Sequence, residues 1–127
     1  MNLKPLHHPF RHLIGEILLD KNSPTAQTIV GKTDSLSSDE NKYRILPMEV
    51  IAGKEELQTT VTEHGNRFEL DLGETYWNSR LQEEHRIMAD LVEKDSLVRD
   101  LCCGVGPFVI PIAKRGVNVI ANDLNPG

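Results

Sequence analysis

The sequence predicts an α/β chain in which a mixed α+β stretch leads into the start of a parallel β–α–β unit. Three observations carry this. The C-terminal stretch DLCCGVGPFVIPIAKRGVNVIANDLNPG (100–127) runs from strand end through a glycine turn to a helical segment, a second apolar strand and an acidic end. Residues 57–73 alternate apolar and charged side chains around Gly65-Asn66, the pattern of a β-hairpin. LIGEILLDKN (13–22) has apolar residues at helical spacing.

In chain order, Leu13, Ile14, Ile17 and Leu18 share one face of the first predicted helix, and Ser23-Pro24 ends it. TAQTIVGKT (25–33) predicts a short strand, and the polar, turn-rich 34–42 a loop. YRILPMEVIAG (43–53) predicts a strand that Pro47 confines to an edge or an irregular stretch. In the hairpin, Phe68, Leu70 and Leu72 fall on the apolar face. NSRLQEEHRIMADLVEKD (78–95) predicts a helix, with Ser79 and Gln82 at capping-box spacing and Leu81, Met88, Leu91 and Val92 as its apolar stripe. LVRDL (97–101) is the next strand. A helix follows over about 107–115, with Pro107 in its first turn, Pro111 predicting a kink and Gly116 as its stop. VNVIAND (117–123) then pairs in parallel with LVRDL across a right-handed crossover.

With 127 residues and 39% apolar composition, the chain supports one modest core or pieces of two. A net charge of −5 argues against a general polyanion binder, so any nucleic-acid contact is local. The two cysteines, Cys102 and Cys103, are adjacent and diverge in an extended segment, which disfavours a disulfide and fits a reducing compartment. No C-x-x-C spacing supports a metal site. No apolar run approaches the ~20 residues of a membrane span, so no membrane partner is expected.

Two constellations carry chemistry. Gly104 and Gly106 let the backbone after LVRDL turn tightly and approach a ligand, and Asp123 follows nineteen residues after Gly104, where an acid commonly receives ribose hydroxyls. Val109 occupies the third position of G-x-G-x-x-G, so a phosphate-free nucleoside cofactor, S-adenosyl-L-methionine, suits the loop better than a dinucleotide. Asp100, at the strand's end, either orients the loop or meets the cofactor's amino group. The alternative is a packing turn common to parallel α/β proteins. The second constellation is Glu84 and His85, which interrupt the stripe between Leu81 and Met88. A buried carboxylate there has the raised pKa of a general base. Alternatively the helix is half-turned and Glu84 faces water beside Arg80. Arg44, after Tyr43, reads from pattern alone as a surface arginine.

LIGEILLDKN, YRILPMEVIAG, TYWNSRLQEEHRIM, DLCCGVGPF and ANDLNP, in this order, resemble the archaeal–eukaryotic tRNA (guanine-N1)-methyltransferases. The resemblance covers most of the chain outside 34–42. It implies a truncated member: a partial α+β middle domain over 1–66, then the N-terminal part of a Rossmann-like class I catalytic domain over 67–127. It implies methyl transfer from S-adenosyl-L-methionine to N1 of the guanosine 3′ of the anticodon, with tRNA as partner, a monomeric enzyme, no metal, and weak or no activity from this chain alone. Mitochondrial matrix, nucleus and cytoplasm are the compartments it implies. By the same resemblance Glu84 is the general base and Arg44 the catalytic arginine. His85, Asp123, Leu124 and Tyr76 match cofactor-pocket positions, joined by Asp100, Gly104 and Gly106. Cys102 and Cys103 replace an aromatic and an alanine, and Ser79 replaces a proline. Two readings compete with methyl transfer: the related wybutosine-pathway aminocarboxypropyl transfer, and an inert or interaction-only product.

Overall fold

The computed structural model describes residues 3–32, 43 and 45–126. A 3-10 turn at Pro5–Phe10 leads into helix α1 (Arg11–Asn22), followed by strands β1 (Thr28–Lys32) and β2 (Met48–Gly53). Strands β3 (Gln58–Glu63) and β4 (Asn66–Asp71) come next. Helix α2 (Gln82–Leu91), strand β5 (Leu97–Asp100), helix α3 (Val109–Lys114) and strand β6 (Asn118–Ala121) complete the order. The predicted loop at 34–42 lies outside the described residues. No described helix is long and apolar enough to cross a membrane.

The first unit is α1 lying on the antiparallel β1–β2 pair. Its contact runs through Gly15, where a Cβ would sit 3.1 Å from both the Ala52 Cβ and the Ile51 carbonyl oxygen. A glycine lets the helix lie that close to β2 without a side chain crowding these atoms. The buried side is thus centred on Gly15, with Ile14 and Leu18 half-buried, and Leu13 and Ile17 are exposed. The predicted four-residue face is corrected accordingly: close backbone approach, rather than apolar area, selects the side. β2 begins immediately after Pro47, so the proline lies outside the strand it was expected to confine.

The β3–β4 hairpin forms as predicted, but its turn is His64-Gly65, both at positive φ (47° and 78°), since Glu63 pairs with Asn66. A two-residue turn with both residues left-handed matches the twist of the strands. Phe68 and Leu70, on one face of β4, are buried with Trp77, and Val61, Leu72, Val105 and Ile110 pack around them. Each such side chain contributes about 1.5–3 kcal/mol by burial. A division at 66/67 would fall between the two paired strands of this hairpin.

α2 is preceded by a 3-10 turn at Ser79–Leu81. The capping box is not made. Asn78 is the cap, its side-chain oxygen accepting from the Arg80 N–H at 3.2 Å, while the Ser79 hydroxyl accepts from the Trp77 indole N–H at 3.0 Å. The stripe is also corrected. Leu81, Met88 and Leu91 are exposed, and α2 buries His85 and Ala89 instead. Ala89 joins Ile112 of α3 and Val117 in a second core, with Val92, Val98 and Val119 against it. β5 and β6 pair in parallel, Leu97 opposite Asn118 through Asp100 opposite Ala121. α3 begins at Val109, so Pro107 precedes it and Pro111 lies in its first turn, where the missing N–H costs little. Gly116, at φ 83°, ends the turn by donating its N–H to the Ala113 carbonyl.

The two assignments of buried face are tested together. Phe68→Ala is expected to destabilise by about 3–5 kcal/mol, and Ile17→Ala by less than about 0.5 kcal/mol, in chemical denaturation. Equal losses would contradict the packing described.

Candidate cofactor cleft

Parallel pairing places the C-terminal ends of β5 and β6 side by side, and both chains continue past the ladder in register. The Asn122 N–H donates to the Asp100 carbonyl and the Cys103 N–H to the Asn122 carbonyl. This brings Gly104 beside Asp123. One carboxylate oxygen of Asp123 accepts from the Gly104 N–H at 2.7 Å, the other from the Asn125 N–H at 2.8 Å. These backbone donors, Asn125 first and then Gly104, hold the Asp123 carboxyl below its ordinary range. Gly104 has φ 50° and Gly106 φ 87°, conformations that a side chain would strain. At Gly106 a Cβ would also press on Ile110. Asp100 accepts from the Cys102 N–H at 3.1 Å, so it orients the loop. Burial, with Asp100 and Asp123 nearby, pushes the Cys103 thiol up, and both cysteines are free.

A cleft of about 690 Å³ opens at this edge, within the range of small-molecule sites. Its floor is Cys102–Val105. Asp123, Leu124 and Asn125 line it, as do Tyr76, Trp77 and Leu81, with Tyr43 and Phe108 also on the lining. The Asn125 side chain donates to the Glu74 carbonyl at 2.6 Å, tying the segment after β6 to the segment before α2. His85 reaches the cleft from α2, edge-on to Phe108 with ring centroids 4.7 Å apart. Aromatic walls, a backbone floor free of side chain at Gly104, and a carboxylate still able to accept more hydrogen bonds fit the base and ribose of a nucleoside.

The predicted site residues divide. Tyr76, His85, Gly104, Asp123 and Leu124 meet on the cleft. Asp100 and Gly106 support the loop without lining it. Arg44 lies outside the described residues. Glu84 is exposed and off the cleft, so the expected dry carboxylate is not present in this structure. The reason is the rotation of α2: with His85 and Ala89 turned inward, Glu84 falls on the exposed flank it shares at helical spacing with Met88 and Leu91. Its place in the first helical turn still suits a negative charge.

The buried carboxylate is Glu63, at the end of β3. Its Oε2 lies 2.8 Å from His85 Nδ1, and the two side chains are each 7% exposed. The sequence reading missed this pair because its members are 22 residues apart and no local spacing links them. It missed Asn125 too, although ANDLNP was singled out.

Residues 59–127 match the family model described as the TRM5/TYW2 methyltransferase domain. A relative from Ciona intestinalis, tRNA (guanine(37)-N(1))-methyltransferase, is 47% identical over 99% of this chain. The chain spans 27% of that relative's length. Trm5b from Pyrococcus abyssi aligns with a TM-score of 0.81 and 27% identity, covering 99% of this chain and 37% of that one. Methanocaldococcus jannaschii Trm5, solved in complex with adenosine, aligns with a TM-score of 0.74 and 27% identity, covering 98% of this chain and 34% of that one. A glycine loop clasped by an acid across two parallel strands, and a family match over more than half the sequence, lead to one conclusion: the chain belongs to the TRM5/TYW2 methyltransferase family.

Proposed function

We propose that this chain forms the S-adenosyl-L-methionine cleft of a tRNA (guanine-N1)-methyltransferase that modifies the guanosine 3′ of the anticodon. The observation that supports this reading best is the meeting of Tyr76, Gly104, Asp123 and Leu124 on one cleft. Asp123 would receive the ribose hydroxyls, with Leu124 and Tyr76 packing on the purine. Bound there, the cofactor supplies an electrophilic methyl group carried on a sulfonium.

The target nitrogen carries a proton at neutral pH and must lose it to become a nucleophile. Glu84 is the residue assigned to take that proton. Because it is exposed in the free chain, its desolvation would come from the guanine itself, extruded from its stack and laid over the start of α2. Arg44 would stabilise the negative charge that develops on the 6-oxo oxygen.

Three measurements test this reading. Titrating the 15N-labelled chain with S-adenosylmethionine should shift the amide signals of Gly104, Asp123 and Leu124 and leave those of Gly15 and Ile51 in place. Absence of any shift at millimolar ligand would favour an inert or interaction-only product. Asp123 must be ionised to receive the hydroxyls, and its folded pKa lies below the ordinary value of 3.8. Binding should therefore be undiminished from neutral pH down to the ordinary carboxylate range, and fall only as pH drops through the depressed folded value. In a full-length relative carrying the aligned substitution, Glu84→Gln is expected to slow N1-methylguanosine formation by about 10²–10⁴-fold with cofactor affinity unchanged. Unchanged turnover would remove Glu84 from the base role.

A further inference from the structure

Glu63 and His85 form a buried pair that the cleft reading does not use. Glu63 closes β3 and His64 begins the turn, so the hairpin's tip seats on the first turns of α2. There His64 Nε2 lies 3.2 Å from the Gln82 carbonyl, and Glu63 Oε2 lies 2.8 Å from His85 Nδ1. The second Glu63 oxygen, Oε1, is buried and has no hydrogen-bond partner among the described residues. A carboxylate buried with one oxygen unsatisfied is a costly way to fasten a hairpin, and an apolar side chain of similar size would serve packing at least as well. His85 Nε2 makes no hydrogen bond to any described residue, while its ring lines the cofactor cleft.

We propose that Glu63 is a positioning residue. By accepting a hydrogen bond from Nδ1–H it fixes the tautomer and orientation of His85, so that Nε2 is the nitrogen left free for the occupant of the cleft. Which ring nitrogen carries the proton is set by the hydrogen bond the other one lacks or makes, and a carboxylate behind a histidine is the usual means of setting it. The edge of His85 against Phe108 holds the ring plane, and Glu63 settles the remaining choice between its two nitrogens. The fixing of the ring stands on geometry alone, and its consequence for binding rests on the cofactor reading above.

Imidazole 15N–1H correlation spectra of the chain test the first part. The wild type and Glu63→Gln, which keeps an acceptor oxygen, should show His85 protonated at Nδ1. Glu63→Met, close in shape but lacking that acceptor, should lose this pattern while remaining folded. A wild-type spectrum with the proton on Nε2 alone would overturn the proposal, whether or not either variant folds. The second part is read with S-adenosylhomocysteine as the probe. Glu63→Met should weaken its binding about tenfold, as loss of such carboxylates does behind metal-bound histidines, and Glu63→Gln by less than about twofold. Equal affinity in wild type and Glu63→Met would overturn the positioning role. Failure of the wild type to bind would count against the cofactor reading, and the tautomer spectra would still decide the role of Glu63.

Discussion

The clasp between Asp123 and the Gly104 amide is the interaction on which the cleft depends. Two parallel strands deliver their C-terminal ends to the same edge, and the chain leaving each one would otherwise diverge. A carboxylate that accepts from backbone N–H groups on both sides joins them, 2.7 Å to Gly104 and 2.8 Å to Asn125. The same contacts hold the Asp123 carboxyl below its ordinary range, so its charge persists to lower pH than that of a free aspartate. One side chain therefore fixes the glycine loop and lines the cleft with a negative charge. Asn125 extends the tie to Glu74 and so to the aromatic segment Tyr76-Trp77 that also lines the cleft.

Behind the cleft, the hairpin supplies support of two kinds. Phe68 and Leu70 pack on Trp77 and on Val105 and Ile110, next to the glycine loop, so the loop rests on a core built largely by β4. Glu63 and His64, at the hairpin's tip, dock on the start of α2 and orient the one histidine that reaches the cleft. The hairpin thus packs against both the glycine loop and α2, and the family match begins within it, at residue 59.

Much of this was legible in the sequence where the signal was local. α1, the hairpin and the β5–α3–β6 unit follow from periodicity, glycine and proline, and the offset between Gly104 and Asp123 pointed to the clasped edge. What failed was rotational or long-range. α1 turned about Gly15 because backbone proximity outweighed a broader apolar face. α2 turned about His85 and Ala89, leaving Leu81, Met88 and Leu91 exposed, so the pattern that made Glu84 look buried selected the wrong side. A carboxylate was buried beside the cleft, but it was Glu63, brought there by a hairpin whose contact with α2 no spacing encodes. The position of Arg44 falls outside the described residues, and its role rests on resemblance.

The measurement that bears most directly on the account is a crystal structure of this chain with S-adenosylhomocysteine. It should place both ribose hydroxyls on the Asp123 carboxylate, with the clasp to Gly104 retained. A nucleoside bound away from the β5–β6 edge, with Asp123 still held only by Gly104 and Asn125, would contradict it.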